Sequence, residues 1–337
     1  MIECDTYFSI IIPCYNSWRF MKRGLSSLER QIFKDFEVIF VDDCSTDDTY
    51  SKLQNYQEQS ALNVVLLRNR QNVGPGESRN YAISQAKGKY LLFMDSDDWY
   101  EINLLQEVYS EIKEHLADMI FFDFYRAYSE NKKKHIHSTR VLEQARSKID
   151  FVALCFDSLW GMCIKREIFQ NLKIPHLYNA EDAVTVPLLA NRASKIAVLQ
   201  KPLYNYYYRI NSLSSSKNLA IADSILKAFS FLEVQLSDKS EKVALEYRGA
   251  LMLLYAYVYK SLQARLNVNE IASVVYHFID KYPDFHNNEY FKKIPLRKRL
   301  FILLVKYSQW FLLKVYIKMQ DLLISFPANI HNTITHA

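Results

Sequence analysis

Tyr90-Leu91-Leu92-Phe93-Met94 runs directly into Asp95-Ser96-Asp97-Asp98, so an apolar segment ends in three carboxylates held within four positions. A short apolar run bounded by turn residues reads as a buried strand. In open α/β sheets, the edge where the strands end is the edge that takes ligands. Clustered acids repel one another and resist leaving water unless positive charge meets them. A divalent cation carrying a diphosphate supplies it, because hard Mg²⁺ and Mn²⁺ take carboxylate and phosphate oxygens together. A helix N-cap ahead of Glu101 would account for one acid and leave two unexplained.

The pattern recurs upstream. Phe8-Ser9-Ile10-Ile11-Ile12 ends at Pro13-Cys14-Tyr15-Asn16, and Glu37-Val38-Ile39-Phe40-Val41 ends at Asp42-Asp43. Residues 19–31, 46–57 and 80–86 read as helices, and Val64-Val65-Leu66-Leu67 as a strand. The order β-α-β-α-β-α-β, at a period of roughly 25–30 residues, predicts an α/β fold: a mostly parallel, Rossmann-like sheet with helices on both faces. Pro13, Asp42, Asp43, Asp95 and Asp97 then converge on one sheet edge, which is the place for a nucleotide.

Four ordered motifs carry a family resemblance. They are Ser9-Ile10-Ile11-Ile12-Pro13-Cys14-Tyr15-Asn16, Phe36 to Asp47, Asn72-Val73-Gly74-Pro75-Gly76-Glu77-Ser78-Arg79-Asn80, and Asp95-Ser96-Asp97-Asp98. Together they resemble the inverting glycosyltransferases of family 2, of GT-A fold, over roughly residues 7–210. Cys44 stands where that family usually has glycine. The resemblance implies that Pro13, Tyr15, Asn16, Asp42 and Asp43 line the nucleotide pocket, with Tyr15 offering a ring face and Asp43 an acceptor. It implies that Asp95 and Ser96 lie near the ribose, that Asp97 with Asp95 holds Mn²⁺ or Mg²⁺, and that Arg79 holds the acidic cluster or the donor. For Asp98, metal ligation and helix capping both stay open.

Inverting transfer also needs a base for the acceptor hydroxyl. Asn179-Ala180-Glu181-Asp182 resembles the family's Glu-Asp motif, which makes Asp182 the base and Glu181 its support. Capping of the helix that follows is the competing structural reading. Trp160, in Trp160-Gly161-Met162-Cys163, resembles the residue beside the acceptor site; stacking on a sugar and filling a core are both open to it. Pro202 to Ser214 resembles the family's closing element, in which Arg209 would contact phosphate. His135 and His137 read as part of a solvated hairpin or loop and as too few for a metal site.

Half the 337 residues are apolar and 14% are aromatic, so an extensive core is expected and disorder is not. Three of the six glycines (74, 76 and 88) frame the nucleotide region. Five cysteines without a C-x-x-C pair read as reduced thiols of a cytoplasmic protein, and no signal peptide is read at the N-terminus. Between Lys292 and Asp321, eight Lys/Arg face one acid; this window is net +7 in a chain that is +5 overall. With its interleaved Leu, Phe and Trp it predicts a basic amphipathic helix over about 296–326. That helix either lies on the anionic inner face of a plasma membrane or packs on neighbouring helices.

The expected plan is a GT-A catalytic domain over 1–217 and a helical region over 218–337. The nucleotide-sugar half would be about 1–100 and the acceptor half about 101–217. The helical region could hold the acceptor, dock on a membrane or support self-association. A nucleotide-sugar, probed first as a UDP-sugar, and a glycan or lipid-linked glycan of surface polysaccharide synthesis are the expected partners; nucleic acid is not. A dehydrogenase lacks its glycine fingerprint here, and a nucleotidyltransferase its glycine-rich basic loop. The remaining alternative is a catalytically degenerate GT-A subunit that binds nucleotide-sugar or serves as a scaffold.

Overall fold

The computed structural model describes residues 6–209 and 218–325. The chain divides into two compact units, Met1–Leu213 and Ser214–Ala337. In the first, strands β1 (Thr6–Cys14), β2 (Phe36–Asp42), β3 (Asn63–Arg68) and β4 (Gly88–Phe93) pair in parallel in the order β3-β2-β1-β4. Helices α1 (Trp18–Glu29), α2 (Thr49–Gln59) and α3 (Pro75–Gln85) make the crossovers. Phe8, Ile10 and Ile12 alternate along β1 with one set of neighbours, Val38 and Phe40 of β2 and Leu92 of β4. These pack with Met21, Leu25 and Leu28 of α1 in one core. Gly88 starts β4 so close to β1 that a Cβ there would lie 2.4 Å from the Ser9 nitrogen, which leaves room for no side chain.

Beyond β4 the pairing becomes mixed. β8 (Met162–Lys165) runs antiparallel to β4 and to β6 (Met119–Ala127), and β9 (Ile196–Tyr207) runs parallel to β6. The two-residue β5 (Trp99–Tyr100) adds antiparallel to β9. The hairpin expected around His135 is β7 (Lys133–Ile136), paired antiparallel with β6. Helices α4 (Leu104–His115), α5 (Lys148–Leu154) and α6 (Glu181–Arg192) complete the unit.

Helix starts moved for local reasons. α2 begins at Thr49 and not at 46: Asp47 Oδ1 accepts the Thr49 N–H at 2.9 Å in a turn that satisfies the helix's first donor. α3 takes in the stretch expected to be helical from Asn80 and begins at Pro75, where Gly74 turns the chain at φ 86° and proline suits the first helical turn.

The second unit is helical among its described residues: α7 (Leu219–Gln235), α8 (Lys242–Gly249), a π-helical continuation (Ala250–Tyr257) into α9 (Val258–Gln263), and α10 (Val268–Lys281). The expected helix over 296–326 is two helices, α11 (Leu296–Lys306) and α12 (Trp310–Ser325). Ser308 adopts a left-handed conformation (φ 55°), and the N–H groups of Ser308 and Gln309 close onto Val305 and Leu304 carbonyls. That is a helix C-cap without the glycine that usually announces one. No described helix is long and apolar enough to cross a membrane.

Candidate active site

Pro13, half-buried, is the next-to-last residue of β1, and Asn16 follows the strand in a left-handed conformation (φ 48°) that asparagine tolerates. Its Oδ1 accepts the Thr46 N–H at 2.9 Å, and its Nδ2 donates to Thr46 Oγ1 at 3.1 Å, so Asn16 ties the first turn to the second. Tyr15 is 48% exposed, leaving its ring open to a planar ligand. Cys44 also sits at positive φ (59°), the physical reason glycine is the usual residue there.

The two acids ending β2 differ in their commitments. Asp42 is fully buried; its Oδ2 lies 3.2 Å from Arg68 Nε and accepts the Ser45 N–H at 3.2 Å, while Oδ1 is enclosed without a protein partner. Asp43, read from sequence as an acceptor for the base or ribose, turns both oxygens inward. Oδ1 accepts from Asn69 Nδ2 at 2.8 Å and Val73 N at 2.9 Å, and Oδ2 from Gly74 N at 2.8 Å. Backbone donors ahead of a helix need such acceptors, so in this structure Asp43 shapes the loop before α3.

Arg79 joins the two halves of the site. Buried on α3, it places Nη2 at 2.8 Å from Asp95 Oδ1 and Nη1 at 3.0 Å from Glu181 Oε1. Burial alone would lower its pKa, but Asp95, Asp182 and Glu181 outweigh that and hold the guanidinium charged. Asp97 is met by Arg209, Nη2 to Oδ2 at 2.5 Å, with that guanidinium also lying over the Phe20 ring at 4.4 Å. Burial and then Asp95 push the Asp97 pKa up, while Arg209 pulls it down. Ser96 lies half-buried between the two acids. The rest of the closing element, residues 210–214, lies outside the described residues.

Asp98 neither caps a helix nor faces outward. It is 1% exposed, its Oδ2 accepts Tyr204 Oη–H at 2.7 Å, and its Oδ1 accepts the Tyr207 N–H at 2.7 Å. Tyr204 Oη in turn accepts the Asp95 N–H at 3.0 Å. The acidic turn is thus hung on β9.

Ahead of α6, Ala180 holds a left-handed φ of 69°, strain of the kind that collects at functional sites. Asp182 follows, its Oδ2 accepting the Leu159 N–H at 3.1 Å and its Oδ1 shut from water without a protein partner. Burial and Glu181 push its pKa up to about 8, against the pull of Arg79. Trp160, the expected acceptor platform, is a core ring: it is 7% exposed and stacks on Tyr204 at 4.5 Å and Tyr206 at 5.7 Å. Its faces are occupied, and its segment serves Asp182 through the neighbouring Leu159.

Asp95 and Asp97 offer hard oxygen donors within one turn, and burial together with the charge of Asp95 keeps the Asp97 pKa raised even with Arg209 beside it. That donor set fits Mg²⁺ or Mn²⁺.

Residues 9–173 match the model of Glycosyl transferase family 2. The chain carries a family 2 glycosyltransferase domain. A stretch of it is 41% identical over 115 residues to poly(ribitol-phosphate) beta-N-acetylglucosaminyltransferase TarS of Staphylococcus aureus, covering 34% of this chain and 20% of that protein. It is 33% identical over 213 residues to the poly(ribitol-phosphate) beta-glucosyltransferase of Bacillus spizizenii, covering 60% and 32%. The chain therefore spans only about a fifth to a third of the length of these relatives. Among solved structures, residues 1–349 of S. aureus TarS in complex with UDP-GlcNAc superpose with a TM-score of 0.62 at 22% identity, covering 94% of this chain and 91% of that one. At that identity the likeness speaks for the GT-A fold.

Within the first unit, the hydrogen bonding of Tyr204 and the Arg79–Glu181 pairing escaped the sequence reading. Tyr204 had a signal, since it stands in the Tyr-rich stretch ending β9. Its partner Asp98 is 106 residues away, and no local pattern joins the two.

Proposed function

We propose that this family 2 domain is an inverting glycosyltransferase that moves a sugar from a UDP-sugar to a hydroxyl of a surface glycopolymer or lipid-linked glycan. The observation that carries the proposal is Asp182. One of its oxygens is water-free and unpartnered, its pKa is pushed up, and it neighbours Glu181, which Arg79 links to Asp95 of the acidic turn. A buried carboxylate with a raised pKa is a stronger base than one in water. Asp182 takes the acceptor proton as the acceptor oxygen bonds to the anomeric carbon. The bond from that carbon to the nucleoside diphosphate breaks on the opposite face, inverting its configuration. Asp97 and Asp95 are assigned to Mg²⁺ or Mn²⁺, which when bound neutralises charge on the departing diphosphate. Tyr15, beside Pro13 and Asn16, offers a ring to the base; Arg79 and Arg209 stand where phosphate charge arrives. Both relatives are poly(ribitol-phosphate) glycosyltransferases, which makes a polyol-phosphate chain the first acceptor to offer.

In the second unit, Leu296, Leu300, Tyr307, Phe311, Leu312 and Met319 are exposed among the basic residues of α11 and α12. This surface is assigned to the anionic inner leaflet of a membrane, where apolar side chains enter the interface and lysines meet lipid phosphate.

The test is release of nucleotide from UDP-GlcNAc, UDP-glucose, GDP- and dTDP-sugars, with and without Mn²⁺ and a poly(ribitol-phosphate) acceptor. One UDP-sugar should be turned over in a metal-dependent way, and Asp97→Ala, still folded, should lose that turnover. If neither a donor nor free UDP binds when metal is supplied, the transferase reading fails and a degenerate module takes its place.

A further inference from the structure

Asp123, His135 and His137 gather on the β6–β7 hairpin, and nothing in the transfer chemistry above uses them. The β6–β7 register pairs Phe124 with Ile136 and Tyr125 with His135. Continued by one position, it sets His137 opposite Asp123, with His135 on the diagonal of the same face. The pairing of β6 with β9 is irregular on both sides of Asp123, the kind of local break that re-aims a side chain. Asp123 is 1% exposed, and its Oδ2 lies 2.8 Å from His135 Nε2 and 3.4 Å from His137 Nδ1. One potential ligand atom from each residue lies within 4.8 Å of the other two.

We propose that these three residues form a site for one Zn²⁺ ion, separate from the acidic turn. The donors are two imidazole nitrogens and one carboxylate oxygen, a set that zinc takes readily and that differs from the all-oxygen set of Asp95 and Asp97. Tetrahedral ligands at about 2.0–2.1 Å from zinc lie roughly 3.3 Å apart, so small side-chain adjustments bring the three atoms to an ion. The carboxylate is already oriented: Asp123 Oδ1 accepts the Thr139 N–H and Oγ1–H, each at 2.8 Å, which leaves Oδ2 turned to the imidazoles. Metal ligands are characteristically fixed by such outer hydrogen bonds. Among the described residues no lysine or arginine pairs with Asp123, and the two imidazoles are the basic groups beside its buried carboxylate. The side chain of His137 is 58% exposed, giving an ion a route in and leaving a fourth position for water. An ion there ties β6 to the end of β7, beside β9, the strand on which the acidic turn hangs. Two histidines are too few alone, and the third ligand lies a strand away.

The full chain, stripped with a chelator and dialysed, is titrated with Zn²⁺, and separately with Co²⁺ as a spectroscopic stand-in. Uptake of about one Zn²⁺ per chain and intense visible cobalt bands of tetrahedral coordination are expected. His137→Ala, at an exposed position, should fold normally, weaken Zn²⁺ by more than about tenfold and erase those bands. Asp97→Asn should keep both, which separates this site from the assignment of the acidic turn. Equal Zn²⁺ uptake by wild type and His137→Ala, cobalt spectra of octahedral oxygen type only, or no uptake by wild type would each overturn the proposal.

Discussion

Asp182 is one carboxylate under opposed influences: burial and Glu181 favour its proton, and Arg79 disfavours it. If it is the base, Asp182→Asn should lower kcat by roughly a hundredfold or more while leaving the donor Kd nearly unchanged. An equal loss of donor binding would make Asp182 a donor contact instead. The same residue sets a pH dependence of stability. Its folded pKa, about 8, is raised above the unfolded value, so the fold favours the protonated form. That contribution is complete below the unfolded pKa and is lost as pH rises through the folded one. Denaturant unfolding between pH 5 and about 9 should therefore show stability falling toward alkaline pH, with a shallower fall in Asp182→Asn; identical slopes would refute the assignment. At this scale the grouping of Asp95 and Asp97 at the end of β4 was legible, because both stand in one compact motif. The direction of Asp43 was not, since its partners Val73 and Gly74 lie on a loop 30 residues on.

Strand β9 does at the scale of elements what no single motif announces. Through Tyr204 and the Tyr207 N–H it holds both oxygens of Asp98, and through Tyr204 Oη it also holds the Asp95 N–H. Tyr204→Phe keeps the ring stack with Trp160 but leaves a buried carboxylate oxygen short of its donor. The expected cost is about 1–3 kcal/mol in chemical denaturation, together with weaker donor binding as the turn loosens. A loss below about 0.5 kcal/mol with donor affinity intact would show that water replaces the hydroxyl. The parallel strands and their crossovers were readable because strand and helix periods alternate regularly up to β4. The split between α11 and α12 was not, since Ser308 takes the left-handed position usually marked by glycine.

For the whole molecule, α11 and α12 bury one set of apolar residues, including Phe301, Ile302, Val305, Leu313 and Ile317, while exposing another. Packing and an outward apolar surface thus coexist in the same helices. Co-sedimentation with anionic vesicles should exceed that with neutral ones and fall with added salt. Lys314→Glu with Lys318→Glu should weaken it by at least about tenfold, given roughly 1 kcal/mol per basic residue near such a surface. Binding that ignores lipid charge, or no binding, would remove the membrane assignment.

The parallel half of the sheet, the acidic turn at its edge and the family resemblance could be read along the chain, since strand period, turn chemistry and motif order are local properties of it. Folding in three dimensions was needed to show which carboxylates are spent inward, that Trp160 is core, that Arg79 spans Asp95 and Glu181, and that Asp123 meets two histidines. Each of these depends on side chains brought together from distant positions, and burial and charge act through space rather than along the chain.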